Sequence, residues 1–264
     1  MDNSLKVSIV IPSYNQGQFI EETILSVLNQ TYKNIEYIIV DGGSTDQTLN
    51  VIDKYRDQID VVISEKDKGQ SDAINKGFKL ATGELVGWIN SDDILYADCM
   101  EKIVELYQQH PDGSIYYAAT LDYIDHEGKL LYKSTRKIPN RNYLLNKNYS
   151  VTQQGSFYSR YLVQQIGYLD ESIYYCMDLD LWLRLLNENN KIYSYKTHAL
   201  AAFRMWEDTK TNQAGNRFLQ NTKQILDRHG AKKFSLTKLH LFYLACRIWA
   251  GKIKRRIIKK VKQL

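Results

Sequence analysis

The stretch ELVGWINSDD (Glu84–Asp93) decides how the rest of this 264-residue chain is interpreted. Its apolar half is typical of a buried strand in a parallel sheet, and it ends abruptly in Asn-Ser-Asp-Asp. Ligands of open α/β sheets bind just beyond the carboxyl ends of the strands. Asp92 and Asp93 would repel each other there without a nearby cation, and their oxygens suit Mg²⁺ or Mn²⁺. The stretch therefore predicts a metal and diphosphate site, with capping of a helix near Ala97 as an equal alternative.

The first 95 residues repeat a strand-then-helix pattern, which predicts an α/β fold with right-handed crossovers and a mostly parallel sheet. A polar loop follows each strand, and the four loops would converge on one crevice typical of a nucleotide site. These loops are Pro12–Asn15, Asp41–Gly43, Glu65–Gly69 and Asn90–Asp93. The sequence has no G-x-G-x-x-G after the first strand, which disfavours a dinucleotide fold, and no G-x-x-x-x-G-K-[ST], which excludes a P-loop.

The second half predicts a more antiparallel arrangement of shorter elements. The predicted elements are a helix at Asp98–His110, strands near Ile115–Ala119, Leu121–Ile124 and Leu130–Ser134 with a turn at Glu127–Gly128, a surface loop at Asn140–Asn148, a strand at Gln154–Tyr158, a helix at Met177–Leu186 and a closing strand at Ile192–Phe203.

Charge is distributed unevenly along the chain. Of 35 Lys and Arg residues, 11 fall within residues 232–264, which contain no Asp or Glu; the remaining 24 face 30 acidic residues. A mildly acidic body is not expected to bind nucleic acid. The start of the chain lacks the basic and apolar regions of a signal peptide, and Cys99, Cys176 and Cys246 are isolated. We therefore expect a cytoplasmic protein.

The basic tail predicts an amphipathic helix. Leu239–Ala250 is too short to span a bilayer, which takes about 20 residues. One helical face is apolar and the others are basic, a pattern typical of an interfacial helix on an anionic membrane. The apolar face comprises Phe242, Cys246, Trp249, Ile253, Ile257, Val261 and Leu264. The alternative is a helix that packs on the body or on a partner subunit.

Five motifs together resemble the family 2 glycosyltransferases, inverting enzymes with the GT-A fold that use nucleotide-sugars. The resemblance covers roughly Lys6–Thr211. The motifs are Val7–Asn15, Asp41–Asp46, Asp67–Gly77, Asn90–Asp93 and Met177–Arg184. We expect a glycosyltransferase domain at residues 1–231, with a nucleotide-sugar half (1–110) and an acceptor-side half (111–231), followed by the tail at 232–264.

The resemblance implies roles on the donor side. Asp41 would accept a hydrogen bond from the base, Tyr14 would stack on the base, and Pro12 would shape the turn. The remaining implied contacts with base, ribose, phosphate or sugar come from Glu65, Lys68, Asp72 and Asn75. Each of these has an alternative as a solvated loop or capping residue.

The resemblance also implies how the metal is held. Asp92 aligns with the last Asp of the family's D-x-D motif, and Asn90 replaces the first, which leaves fewer anionic ligands for Mg²⁺ or Mn²⁺. Asp93 would assist through water or fix the loop. The metal would neutralise charge on the leaving nucleoside diphosphate.

Asp178 aligns with the family's catalytic base, which takes the proton of the acceptor hydroxyl. The family usually has Glu before this Asp, where this chain has Met177, and that puts some acceptor contacts in question. Asp180 is the competing candidate, although it could instead cap the helix or pair with Arg184.

Cationic residues after the last strand are candidates for closing over the diphosphate. Arg204 and Lys210 would do so by charge, with a surface role as the alternative. His198 is a lesser candidate for a metal ligand.

The resemblance thus implies transfer of one sugar, UDP- or dTDP-linked, to a lipid-linked or polysaccharide acceptor in bacterial surface-glycan synthesis. The basic tail adds the expectation that this takes place at the inner face of the cell membrane. Two alternatives stay open: a non-catalytic protein that binds nucleotide-sugars or glycans, and a sugar-phosphate nucleotidylyltransferase. The latter usually carries a Gly-rich basic loop after the first strand, which residues 12–17 lack.

Overall fold

The computed structural model describes residues 5–207, 209–210 and 215–261. Its strands are β1 (Val7–Ser13), β2 (Ile35–Asp41), β3 (Val61–Ser64), β4 (Leu85–Trp88), β5 (Ile94–Leu95), β6 (Ile115–Ala118), β7 (Thr120–Ile124), β8 (Leu130–Thr135), β9 (Ser156–Ser159), β10 (Ile192–Tyr195) and β11 (Ala201–Arg204). Its α-helices are α1 (Ile20–Leu28), α2 (Thr48–Lys54), α3 (Gln70–Leu80), α4 (Cys99–Gln109), α5 (Arg141–Asn146), α6 (Arg160–Gln165), α7 (Met177–Glu188), α8 (Gly215–Arg228) and α9 (Leu236–Val261). A 3-10 turn lies at Arg56–Gln58.

A seven-stranded sheet in the order β10-β6-β9-β4-β1-β2-β3 forms the centre of the molecule. β9 runs antiparallel to its neighbours β4 and β6, and the other pairings are parallel. A second sheet in the order β5-β11-β7-β8 pairs β11 with β7 in parallel and is otherwise antiparallel. The predicted α/β class, with a mostly parallel sheet and an antiparallel part in the second half, is confirmed.

Helices cover both faces of the central sheet, which explains why its strands read as continuous apolar runs. Successive side chains of a strand point to opposite faces. In β1, Val10 packs into the core on the side of α3 and α7, whereas Ile9 and Ile11 pack into the core beside α1 and α4. All three side chains are fully buried.

A glycine sets how closely α3 approaches the sheet. A Cβ at Gly77 would collide with the side chain of Val10 on β1, so only hydrogen at this position allows the observed spacing. The close approach places Gln70, at the start of α3, beside Asn90 after β4, and their side chains hydrogen bond at 2.8 Å. α3 thereby presents its first turn to the carboxyl edge of the sheet.

The surface loop predicted at Asn140–Asn148 is wrong, because this segment contains the helix α5. Asn140 caps the helix, its Oδ1 accepting a hydrogen bond from the Tyr143 amide at 3.0 Å. Leu144 and Leu145 are buried in the core. The asparagines therefore begin and flank a helix whose two leucines anchor it.

The single closing strand predicted at Ile192–Phe203 is also wrong. β10 pairs with β6 in the central sheet, whereas β11 pairs with β5 and β7 in the second sheet. The break between them lets the chain pass from one sheet to the other. Sequence periodicity does not reveal such a change of partner, because both pieces retain strand-like residues.

α9 agrees with the predicted helical tail. Side chains beyond residue 250 lie outside the described part, and these include Ile253, Ile257, Val261 and Leu264 of the predicted apolar face. Among the described residues we found no helix with the length and hydropathy needed to cross a bilayer.

Candidate active site

A cavity of about 650 Å³ lies at the carboxyl edge of the central sheet. Pro12 at the end of β1, Trp88 at the end of β4 and Gln70 at the start of α3 line its first half. Asp178 lies in the first turn of α7 and lines the other half. Asp92 lines the same cavity, so the carboxylates predicted to hold the metal and to act as the base share one space.

Asp92 is positioned by the sharp turn at the end of the segment Glu84–Asp93. The Asp93 amide donates to the Asn90 carbonyl at 3.0 Å, and the Trp206 indole donates to Asp92 Oδ2 at 2.9 Å. Burial raises the pKa of Asp92, while the Trp206 hydrogen bond and the charge of Arg204 oppose that shift. Neither Asp92 nor Asp93 caps the next helix, since α4 begins after Asp98.

Asp93 faces away from the cavity. Its Oδ1 accepts from the Arg204 amide at 2.9 Å, and its Oδ2 accepts from Gln154 at 2.8 Å and from Asn90 at 2.9 Å. Burial and the charge of Asp92 raise its pKa well above the ordinary value. The side chain is completely buried, which fits the fixing of the loop rather than direct contact with a ligand.

Arg204 is a buried link between elements and does not line the cavity. Its Nε donates to the Asp92 carbonyl at 2.9 Å, and Nη1 donates to the His126 carbonyl at 2.8 Å. Nη2 pairs with Glu22 on α1 at 2.6 Å, and the guanidinium lies over the ring of Phe19. The guanidinium predicted to meet the diphosphate thus holds the loop at Asn90–Asp93 through its bond to Asp92.

We expect Arg204→Met to lower the free energy of unfolding by about 3 kcal/mol, because buried carbonyls lose their donor. The midpoint of urea unfolding measures this. Arg228→Met is the matched control, since Arg228 is exposed and its surface pair with Asp170 contributes less than about 1 kcal/mol. An unchanged midpoint for Arg204→Met, with weaker binding of UDP, would instead favour a donor contact.

The start of α7 carries the candidate base. Asp178 is half-buried, and burial raises its pKa; the Leu179 amide at 2.9 Å and the charges of Lys210 and Arg136 act in the opposite direction. Before it, Cys176 adopts a left-handed backbone (φ 60°), which is uncommon for a residue with a side chain. The charges around Asp178 oppose the effect of burial, but burial is the larger effect and the pKa of Asp178 stays above its ordinary value.

Asp180, the competing candidate for the base, is buried and bonded to other side chains of the protein. It is 1% exposed, and it accepts hydrogen bonds from Arg184 at 2.7 Å and from His229 at 2.8 Å. Burial alone would raise its pKa, but His229 and Arg184 together hold it below the ordinary value. Asp180 does not line the cavity and joins α7 to the end of α8.

Some of the residues predicted on the donor side line the cavity, and others do not. Pro12 and Tyr14 line the cavity, and the Tyr14 side chain is largely exposed there. Asp41 is fully buried and accepts hydrogen bonds from the Ser44 amide and hydroxyl, the Gly43 amide and the Ser64 hydroxyl. These bonds order the turn after β2, and the contact between Asp41 and a base stays a prediction.

Three other predicted donor residues lie beside the cavity rather than in its lining. Glu65 pairs with Lys76 at 2.7 Å, and Asp72 accepts from the Lys68 amide at 3.0 Å. The Lys68 side chain is exposed. Together these residues order the loop that leads into α3.

Asn75 is another predicted donor contact outside the lining. It is 3% exposed, exchanges hydrogen bonds with the backbone of Leu169 at 2.9 and 3.0 Å, and donates to Glu171 at 3.0 Å. The side-chain amide of Asn75 thus bonds both the backbone N–H and the backbone carbonyl of Leu169. These bonds fix the segment after α6 against α3.

Of the two cations predicted to close over the diphosphate, Lys210 is the one that lines the cavity. Its Nζ donates to Gln70 at 3.1 Å and lies 4.1 Å from the centre of the Tyr174 ring. Burial lowers its pKa to about 8, while the charge of Asp178 acts to raise it. Gln70 in turn donates to Asn90, so Lys210 is linked to the loop at Asn90–Asp93 through one side chain.

Trp206 and Arg136 are lining residues that the sequence did not single out. Trp206 holds Asp92 and packs edge-on against Phe19 at 5.0 Å, and an aromatic residue shortly after the last strand was its only signal. Arg136 donates to the Tyr123 hydroxyl at 2.7 Å and faces the half that contains Asp178. Arg136 follows the predicted strand at Leu130–Ser134, but no local pattern distinguishes it from other surface cations, because the pairing of that strand was not predicted.

The residues present fit a divalent ion that is bound largely by its substrate. The described residues contain no cluster of three or more His, Cys, Asp or Glu side chains. Asn90 and Asp92 nevertheless bring hard oxygens to the cavity, and Mg²⁺ is commonly held by one or two carboxylates plus phosphate oxygens. His198 is outside this set, since it pairs with Asp98 at 2.8 Å away from the cavity lining.

Comparison with known proteins agrees with this geometry. Residues 8–167 match the family described as Glycosyl transferase family 2. An uncharacterized glycosyltransferase of Rickettsia typhi is 30% identical over 220 residues, which cover 80% of this chain and 67% of the relative.

Solved structures show the same fold. Residues 1–349 of S. aureus TarS, in complex with UDP-GlcNAc, superpose with a TM-score of 0.69 at 20% identity, over 93% of this chain and 72% of that one. The mannosyltransferase PcManGT of Pyrobaculum calidifontis, in complex with GDP-Man and Mn²⁺, gives a TM-score of 0.66 at 15% identity, over 96% and 76%. The predicted GT-A fold is confirmed, and the chain belongs to glycosyl transferase family 2.

Proposed function

We propose that the chain is an inverting glycosyltransferase that moves one sugar from a UDP- or dTDP-linked donor to an acceptor hydroxyl. The observation that carries the proposal is that Asp92 and Asp178, from different halves of the chain, line one cavity. The TarS complex with UDP-GlcNAc supports a nucleotide-sugar donor for a chain of this fold.

The diphosphate of the donor would lie between the loop at Asn90–Asp93 and Lys210. Asp92, with the Asn90 side chain, would hold Mg²⁺ or Mn²⁺, and the PcManGT complex with GDP-Man and Mn²⁺ supports such an ion. When bound, the ion supplies positive charge that stabilises the leaving nucleoside diphosphate. Tyr14 would stack on the base, because its exposed ring lines the donor half.

Asp178 would act as the general base. The acceptor oxygen forms a bond to the anomeric carbon as the bond to the diphosphate breaks, and the electron pair leaves with the diphosphate. The hydroxyl proton passes to Asp178. A raised pKa makes this carboxylate a stronger base, while the charges of Lys210 and Arg136 act to lower that pKa and so favour the ionised form.

We expect Lys210 to give the reaction an alkaline limit. Its pKa of about 8 means that it is charged below that pH and loses its charge as the pH rises, so kcat/KM for the donor should fall through about pH 8. Lys210→Gln should raise the donor KM about tenfold at neutral pH. In this variant kcat/KM should no longer fall through about pH 8, so the alkaline limb of the pH profile should be absent.

The matched control for Lys210 is Lys79→Gln. Lys79 also lies over a tyrosine ring, that of Tyr168 at 5.7 Å, but it is outside the cavity. The alkaline limb should persist in this control. A pH profile that Lys210→Gln leaves unchanged would contradict the assignment.

The acceptor that we propose is a lipid-linked or polysaccharide glycan in bacterial surface-glycan synthesis, used at the inner face of the cell membrane. The aromatic lining of the acceptor half supports a sugar acceptor, since aromatic rings offer flat apolar surfaces. This half is lined by Tyr123, Tyr149, Tyr174, Tyr175, Phe203 and Trp206.

A thermal-shift screen of UDP-, GDP- and dTDP-sugars, with and without Mn²⁺, tests the proposal. We expect one nucleotide class to raise the melting temperature, with a further rise when Mn²⁺ is present. Release of the nucleoside diphosphate from the selected donor then tests turnover. Binding without turnover across the donor panel would contradict catalysis and favour a binding protein.

A further inference from the structure

The helix α9 has two apolar faces, and one of them packs on the body. Thr237, Leu241, Leu244 and Ile248 follow each other at intervals of four, three and four residues, so they share one side of the helix. Thr237 donates to the Leu145 carbonyl of α5 at 2.6 Å, and Leu241 belongs to the main core. This inner face accounts for how α9 is attached.

The opposite face is apolar and open to solvent. Leu239, Phe242, Tyr243, Cys246 and Trp249 repeat at the same helical spacing, and we call them the outer stripe. Phe242 is 70% exposed and Trp249 is 67% exposed. Large apolar side chains that cluster on a surface mark an interaction site, whereas single ones do not.

Cations accompany these exposed rings. Arg247 lies 5.8 Å from the centre of the Tyr243 ring. Lys233 lies 5.6 Å from the centre of the Phe234 ring, which is two residues before the start of α9 and is 82% exposed. Residues 232–264 as a whole contain 11 Lys and Arg and no acidic residue. An apolar stripe rich in aromatic residues, flanked by cations, complements the interface of a bilayer with anionic headgroups.

We propose that the outer stripe is a docking surface for an anionic membrane, on which α9 lies flat. Phe242 and Trp249 enter the boundary between headgroups and acyl chains, and the basic residues meet lipid phosphates. The inner face stays on the body, so docking requires no rearrangement of α9.

Docking would also orient the active site. Tyr149 lines the cavity, and its ring lies 6.2 Å from that of His240 on α9. α8 packs on α9 and holds the start of α7, through Asn221 to the Tyr175 amide and Thr222 to Cys176. The acceptor half therefore adjoins the docking helix, and, resting on the proposed function, the acceptor is one presented at the membrane surface.

Vesicle co-sedimentation of the full chain tests the docking surface. We expect binding to vesicles of phosphatidylglycerol mixed with phosphatidylcholine, weakening as salt is raised, and little binding to phosphatidylcholine alone. The double variant Phe242→Glu/Trp249→Glu should lower the partition coefficient about tenfold or more.

The matched control is Leu80→Glu/Tyr161→Glu, which makes the same change of charge at two exposed apolar residues away from α9. It should bind vesicles almost as the unmodified chain does. Equal losses in both double variants, or no vesicle binding by the unmodified chain, would overturn the proposal. The proposal would also be overturned if the unmodified chain binds no vesicles and forms a dimer, seen by light scattering, that the variant Phe242→Glu/Trp249→Glu does not form.

The two proposals fail separately. Binding of UDP, or of the nucleotide that the thermal-shift screen selects, should be the same in the α9 variant as in the unmodified chain. If the unmodified chain binds nucleotide but not vesicles, only the docking proposal fails. If it binds vesicles but no nucleotide, only the proposed donor site fails.

Discussion

We expect Asp178→Asn to slow sugar transfer by about 10²–10⁴-fold while donor binding changes little, since general-base catalysis typically contributes that factor. The amide keeps the size of the side chain but cannot accept the proton of the acceptor hydroxyl. Burial raises the pKa of Asp178, and a base must be ionised, so the activity of the unmodified enzyme should fall as the pH drops through this pKa. The residual activity of Asp178→Asn should not show this fall at low pH.

The matched control for Asp178→Asn is Glu188→Gln, the same chemical change at the exposed end of the same helix. This variant should keep the kcat and the pH profile of the unmodified enzyme. Initial rates of nucleoside diphosphate release, measured across the pH range, provide the comparison. An Asp178→Asn variant as active as the unmodified enzyme would remove the proposed mechanism.

We expect Asp92→Asn to lower kcat/KM by at least about 100-fold, because a metal-bound diphosphate gains several kcal/mol of charge stabilisation in the transition state. The amide oxygen can still accept the hydrogen bond from Trp206, so the loop should keep its shape. Removing the negative charge instead weakens the attraction for Mg²⁺ or Mn²⁺. The increase in nucleotide affinity on adding Mn²⁺, measured by calorimetry, should largely disappear.

Asp98→Asn is the control for Asp92→Asn, since Asp98 lies further along the same segment and pairs with His198 outside the cavity. It should leave both the Mn²⁺ effect and turnover unchanged. Trp206→Phe, which removes one hydrogen bond and keeps the charge, should have a smaller effect than Asp92→Asn. Retention of the full Mn²⁺ effect in Asp92→Asn would place the ion elsewhere.

The donor half of the fold was predictable because its signals are local. β1, β2 and β4 are buried on both faces, so each reads as an apolar run, and each ends where a polar loop begins. The rule that parallel strands share an edge then brings these loops together. This reasoning gave Asp92 a position at the cavity without any knowledge of side-chain contacts.

The choice between Arg204 and Lys210 could not be made from sequence. Both are basic and both follow the central strands, yet Arg204 is fully buried and Lys210 lines the cavity. Arg204 ends β11, whose partners belong to the second sheet, and that sheet was predicted only as scattered short strands. Without the pairing, the direction of the Arg204 side chain was undetermined.

Asp41, Asn75 and Asp93 illustrate a second limit. A polar residue at a strand end or in a first helical turn can meet a ligand or satisfy nearby backbone groups, and both uses select the same residue types. All three side chains are buried and hydrogen bonded within the protein. Their number of internal partners, which decides between the two uses, depends on tertiary structure.

The central claim is that one cavity holds a metal-bound diphosphate at Asp92 and faces it with Asp178. A crystal structure with Mn²⁺ and whichever of UDP, GDP or dTDP the thermal-shift screen selects tests this claim most directly. We predict Mn²⁺ bound by Asp92 and the diphosphate, the base stacked on Tyr14, and Asp178 across the cavity from the phosphates. A nucleotide bound outside this cavity, or Mn²⁺ held without Asp92, would contradict the account.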